Sequence, residues 1–289
     1  MSSALPVLAP GGPVAPETYA GEPDVSRRGG IGMPINVNLE ITDLCNIKCR
    51  MCGQAYNKKV HNLQPNSFMK WDVWKASIDG LADYEDPISL CPHWLGEPCL
   101  HPEFDRFIAY AFEQNEGNRL FRHFKLHTNG SLLNAARIDT VLRCANMDTM
   151  ADDTFRFVHF SVDAYSPAIY YKIKKYDYGE RVYRNILNLL ETREARGLQW
   201  PRVTNAFIVM PENQHEARWY LDYWTAQFER LNLEFDVVYD WPQRIADNLY
   251  YRRLHQADQP AADRLHRIVL ADLDLLSIDA DGGFIEESF

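Results

Sequence analysis

The chain has 289 residues, 46% of them hydrophobic and 24% charged, which suits one large α/β unit with extensions and excludes disorder throughout. Its 30 basic and 40 acidic residues leave a formal charge of −10, which argues against nucleic acid, whose binders need a basic footprint. No apolar run of about 18 residues occurs, so no membrane span is expected.

Residues 1–32 are rich in Pro, Gly, Ala and Ser without apolar periodicity, and read as a flexible tail. They hold neither a basic n-region nor an apolar core, so the expected compartment is a reducing cytoplasm. Candidate strands follow at 35–42, 87–93, 123–128, 156–163, 203–210 and 233–240. Candidate helices lie between them at 68–83, 102–115, 134–146, 180–196 and 213–231. Pro102 and Pro167 sit where a first helical turn tolerates proline, and Gly197 is a stop signal. Strand–helix alternation implies parallel strands with helices packed outside. The expected architecture is α/β: a partial (βα)6 TIM-like barrel over 33–240 and a mostly helical extension over 241–289.

Alternate side chains of a strand face opposite sides. Val37, Leu39 and Ile41 alternate with Asn36, Asn38 and Glu40, and Ile88 and Leu90 with Ser89, Cys91 and His93. Phe124 and Leu126 alternate with Lys125, His127 and Asn129, and Phe160 and Val162 with His159, Ser161 and Asp163. A parallel sheet covered on both faces reads as continuously apolar. One polar face in four successive strands fits either a sheet with one solvated face or a curled sheet around a polar lumen. The lumen is the reading adopted, since ligands bind at the strand ends of such folds.

Cys45, Cys49 and Cys52 crowd one loop directly after the first candidate strand, while Cys91, Cys99 and Cys144 are scattered. Three thiolates at this spacing can hold three irons of a cubic iron–sulfur cluster and leave the fourth open to a small molecule. Zinc is the rival, but a structural zinc wants four ligands, usually from two knuckles. Buried packing cysteines are the other reading, and these do not come as loop triplets.

LEITDLCNIKCRMC, with its Cys-x3-Cys-x2-Cys spacing, resembles the signature of the radical S-adenosylmethionine (SAM) enzymes. Gly96-Glu97-Pro98 is similar to the family's GGEP stretch, with Leu95 in place of the first glycine. Thr128-Asn129-Gly130 and Ser161-Val162-Asp163 end the third and fourth candidate strands, as related motifs do in the family. The resemblance spans about residues 35–240 and implies a [4Fe–4S] cluster on Cys45, Cys49 and Cys52. It implies that Glu97, with Gly96 and Pro98, holds the SAM amino group and that Thr128 and Asn129 lie beside it. It implies that Ser161 and Asp163 contact the ribose and carboxylate, and that Met210 packs on adenine. An electron donor such as a flavodoxin is implied as partner, and a 5′-deoxyadenosyl radical that takes hydrogen from carbon as the chemistry. Two departures stand out: Met51 replaces an aromatic residue, and no cysteine follows Cys144 to build an auxiliary cluster.

Without an auxiliary cluster to take a second electron, a redox-neutral outcome is expected over oxidation. An epimerase needs a hydrogen donor, and Cys91 has the lumen parity for that role; Ser277, as a replaced cysteine, is the alternative. Glu40, His93, Trp94, His127 and Asp240 are the expected substrate contacts, with Asp163, Asp236 and His159 in the same polar set. Carboxylates there suit a cationic or hydroxyl-rich small molecule, and the size is that of the stand-alone epimerases of aminoglycoside antibiotics. Peptide modification, dehydrogenation and sugar rearrangement are the alternatives. The intact cysteine triplet argues against an adaptor without a cluster.

Overall fold

The structure, a computed structural model, describes residues 36–53, 68–84, 87–147, 156–239, 246–256, 258–278 and 284–285. The expected tail at 1–32 lies outside them. Seven strands form one sheet: β1 (Asn36–Asn38), β2 (Ile88–Cys91), β3 (Phe121–Thr128), β4 (Arg156–Ser161), β5 (Arg202–Val209), β6 (Phe235–Val238) and β7 (Asp247–Arg253). All neighbours run parallel, in the order β1-β2-β3-β4-β5-β7-β6. Helices α1 (Trp71–Asp79), α2 (Phe104–Gln114) and α3 (Ala135–Ala145) follow the first three strands. Helices α4 (Pro167–Lys174) and α5 (Gly179–Ala195) follow β4, α6 (Ala217–Arg230) follows β5, and α7 (Gln259–Asp272) follows β7. This is an α/β fold, a partial TIM-like barrel.

Local chemistry accounts for the helices. In α2 the residues Phe104, Phe107, Ile108, Ala111 and Phe112 are buried, an apolar stripe at helical spacing. Asn134 caps α3 by accepting from Arg137 N, and Ser166 caps α4 by accepting from Ile169 N ahead of Pro167. Gly197 takes φ +62° after α5, as the stop signal required.

Two elements depart from expectation. Helix α4 was not foreseen, since only Pro167 marks it. Residues 247–253, expected in a helical extension, form a strand inserted between β5 and β6. A buried ion pair explains that insertion. Arg193 of α5 binds Asp247 through two hydrogen bonds of 2.8 and 2.7 Å, with neither side chain exposed. Asp247 also accepts from Val203 N (2.7 Å), and Arg193 donates to Pro201 O (2.8 Å), so the start of β7 is clamped beside the start of β5. Ser277 and Ile278 (β8) pair antiparallel with Phe284 and Ile285 (β9), apart from the main sheet.

The parity reading holds in three dimensions. Leu90, Leu126, Val158, Phe160, Val203 and Phe207 join the apolar core under the helices. On the opposite face Ser89, His159, Thr204 and Asn248 of the central strands are buried as well, while Asn36, Asn38 and Asp236 on the two edge strands are exposed, so the polar face forms a lumen that opens at the sheet's edges.

Candidate active site

The cysteine triplet lies in the loop after β1, and its neighbours grip it from three sides. Leu44 O accepts from Glu97 N (2.7 Å) on the loop after β2. Asn46 donates to Ser131 Oγ (2.9 Å) and accepts from Asn129 Nδ2 (2.9 Å), both in the loop after β3. Lys48 N and Arg50 N donate to Lys174 O (3.2 Å) and Ile173 O (2.9 Å) at the end of α4. All three thiols are half-buried and unbridged. Burial pushes the Cys45 thiol up to about 12 and raises Cys49 too, so each keeps its proton until a cation compensates the thiolate. Among the described residues no three His, Cys, Asp or Glu side chains converge on a single ion. The triplet offers three spaced thiols on one loop.

The loop at Gly96-Glu97-Pro98 packs on the end of the first strand. A Cβ on Gly96 would lie 1.9 Å from Thr42 O, so only glycine fits this approach. Glu97 is 2% exposed, and its carboxylate accepts from Cys99 N (3.1 Å), Thr128 Oγ1 (2.7 Å) and Asn129 N (2.7 Å). Burial pushes this carboxyl up, against those hydrogen bonds. The sequence pointed Glu97 at a ligand ammonium; the structure uses it to join the loops after β2 and β3. Thr128 and Asn129 are buried in the same network. Gly130, at φ +77°, has the backbone that lets that loop turn away.

Glu40 also departs from expectation: its Oε1 accepts from Leu95 N (2.6 Å) and Gly96 N (2.7 Å), so it shapes the glycine loop instead of facing substrate. Asp163 is fully buried at φ +63°, and its carboxylate accepts from Ile208 N (2.7 Å) and Lys174 Nζ. Trp94 is 60% exposed and contributes no buried wall. Asp240 lies outside the described residues, and Ser277 lies in the separate hairpin. Ser161 is half-buried at the end of β4, and Met210 is buried just after β5.

The lumen holds what parity foresaw and more. His127 and His159 are register partners whose rings stack at 4.6 Å, and His93 stacks at 5.5 Å on the far side of His127. Burial pulls His93 down to about 4, so this ring is neutral near pH 7. The register continues from His159 to Thr204, Asn248 and Asp236, one polar belt across five strands. Thr204 Oγ1 and Asn248 Oδ1 are buried without a hydrogen-bond partner among the described residues, which calls for water or a polar ligand. Cys91 is 5% exposed, stands outside the apolar core and has its thiol pushed up to about 11 by burial. Thr204 was within reach of the parity argument, whereas Asn248 and Lys174 were not, because β7 and α4 were unrecognised.

The family model described as the Radical SAM superfamily matches residues 39–223. The chain belongs to this superfamily. Its cofactors are accordingly a [4Fe–4S] cluster and SAM. Among curated proteins it is 31% identical over 139 residues to an S-adenosylmethionine-dependent nucleotide dehydratase of Selenomonas ruminantium. That match covers 47% of this chain and 41% of the relative, so the chain spans about two fifths of the relative's length. Among solved structures it is similar to native anSMEcpe with bound AdoMet, at TM-score 0.55 and 15% identity, over 83% of this chain and 60% of that one. The same protein with bound AdoMet and the Cp18Cys peptide gives TM-score 0.53 and 16% identity over the same shares. At such identities the likeness shows the fold alone. Among the described residues no helix is long and apolar enough to cross a membrane.

Proposed function

We propose that the enzyme inverts one carbon of a small amine- or hydroxyl-bearing substrate, of the aminosugar class, held in the polar lumen. When bound, the cluster and SAM supply a 5′-deoxyadenosyl radical able to take hydrogen from an unactivated carbon. Cys45, Cys49 and Cys52 would hold the cluster. The strand-end residues Gly96, Pro98, Ser161 and Met210 would line the SAM site, with Glu97, Thr128 and Asn129 fixing the loops around it. His93, His127, Thr204 and Asn248 would orient the substrate by hydrogen bonds.

The observation that carries this reading is Cys91, a buried thiol on the lumen face of β2, one strand from the histidine belt. Its burial keeps the S–H bond intact near pH 7, which a hydrogen-atom donor requires. The thiol gives a hydrogen atom to the substrate carbon from the face opposite abstraction. The sulfur radical left behind regains one electron and one proton from an external low-potential donor of the flavodoxin type, which balances the cycle. The net charge of −10 favours amine-bearing over phosphorylated substrates.

Turnover in deuterium oxide tests the proposal, because an exchangeable thiol delivers solvent deuterium to the inverted carbon. Cys91→Ser should still form 5′-deoxyadenosine but no inverted, deuterated product. If inversion instead survives in Cys91→Ser and rises in Ser277→Cys, the donor is wrongly assigned. The relative's name supports a second reading, loss of water from a hydroxyl-bearing nucleotide. A product lighter by one water and free of solvent deuterium would favour it.

A further inference from the structure

We propose that Thr204, Asn248 and Asp236 form a subsite for a primary ammonium group, so that the ligand's amine lies at the β5–β7–β6 side of the lumen. The proposal deepens the reading of the lumen as the substrate site and rests on it, but not on which carbon reacts or how.

Strand register brings the three residues together. Thr204 of β5 is the partner of Asn248 of β7, and Asn248 is the partner of Asp236 of β6. Register partners in parallel strands point to the same face. Val203, Phe207, Leu249 and Tyr251 belong to the apolar core under the helices, so Thr204 and Asn248 face the lumen. Phe235 and Val237 pack against that core in the same way, which leaves Asp236 on the lumen side. Neighbouring strands lie about 4.8 Å apart, so the three side chains make a row about 10 Å long.

The row asks for hydrogen-bond donors. Thr204 is fully buried and Asn248 is 2% exposed. Asn248 donates through Nδ2 to Ala246 O (3.3 Å), which turns its Oδ1 the other way as an acceptor. Neither that oxygen nor Thr204 Oγ1 has a hydrogen-bond partner among the described residues. A buried acceptor without a donor is costly, so the pair is built for something that enters. Asp236 is exposed where the lumen opens, and among the described residues its carboxylate is in no ion pair. An ammonium carries three donors and no acceptor, which matches an amide oxygen, a hydroxyl oxygen and a carboxylate. A phosphate offers only acceptors and would meet the carboxylate as a like charge. The cations on the lumen face stand apart from this row. Lys125 donates to Asn36 Oδ1 (2.6 Å) on the opposite edge strand, and Arg252 lies further along β7. The belt thus has an acceptor end at Asp236 and an imidazole end at His93, which orients an amine-bearing ring.

The test is calorimetric binding of glucosamine, glucose and N-acetylglucosamine to the anaerobically reconstituted holoenzyme with SAM. The three share one ring, and only the first carries an ammonium. Glucosamine should bind at least about tenfold more tightly than the other two, and added salt should narrow the gap. Asp236→Asn, at an exposed position, should abolish the preference by weakening glucosamine alone. Thr204→Val should weaken glucosamine without lowering the urea midpoint, because the hydroxyl makes no bond within the protein. Glucosamine binding no tighter than glucose overturns the proposal, and so does a native preference in Asp236→Asn. A Thr204→Val chain that unfolds earlier would show that the hydroxyl serves the fold, which removes it from the subsite and overturns the triad. Turnover is not read, so the two readings fail separately. A glucosamine preference without any inverted product sinks the inversion alone, and solvent deuterium at an inverted carbon without that preference sinks the subsite alone.

Discussion

Two buried ion pairs stand at opposite ends of the same sheet. Arg193–Asp247 lies where β5 and β7 begin, and Lys174–Asp163 lies beyond the end of β4, beside the cysteine loop. The first is bidentate, and its remaining hydrogen bonds go to Pro201 O and Val203 N of the framework and to the neighbouring Glu194 carboxylate (2.9 Å). The second is monodentate and joins framework on one side to the cysteine loop on the other. Equal burial thus serves two ends. One pair fixes which strand lies beside which, and the other sets the surroundings of a reactive group. The fold's rim and its foundation can then be perturbed separately, and the largest effects should show it.

Cys49→Ala removes one of the three thiols at the rim. Iron–sulfur absorbance and 5′-deoxyadenosine formation should both fall to background in the reconstituted protein, while the apoprotein's thermal midpoint stays that of the native chain. An apoprotein that melts earlier would mean that the loop supports the fold and would break the contrast. Arg193→Met probes the foundation, where it strands the Asp247 carboxylate in a fully buried site. Removing one partner of such a pair costs about 3–5 kcal/mol, read as a fall in the urea midpoint. The fraction that remains folded should load iron as the native protein does. Failure to load would show that strand order and cysteine loop are coupled.

The same contrast separates what the sequence disclosed from what it hid. The thiol spacing, the glycine loop and the alternation in β1 to β4 are local patterns, visible within a few residues. They disclosed the barrel, the cluster loop and the polar lumen. Gly96 had to be glycine for a reason no pattern shows, its approach to Thr42 O. Glu40, Glu97 and Asp163 were recognised as acidic and near the site, yet each carboxylate is occupied by a partner distant in sequence: residues 95–96, residues 128–129 and residue 174. Strand β7 was hidden for the same reason. DNLYYRR carries no clean alternation, and the clamp from Arg193 spans 54 residues.

The lumen lies between rim and foundation, and His93 reports on it through pH. Burial lowers this imidazole from 6.5 to about 4, so the folded state binds its proton less readily than the unfolded chain does. A depressed folded pKa gives stability that is complete above about 6.5 and is lost as pH falls towards about 4. A tenfold change in proton affinity corresponds to about 1.4 kcal/mol, and a half-buried ring beside solvent retains only part of the full difference, so the loss should be about 1–2 kcal/mol. In His93→Gln that increment should vanish: urea unfolding at pH 7 and at pH 4.5 should differ by this much less than in the native chain. An unchanged pH slope in His93→Gln would mean that burial costs the ring no proton affinity, and the lumen would then belong with the exposed rim.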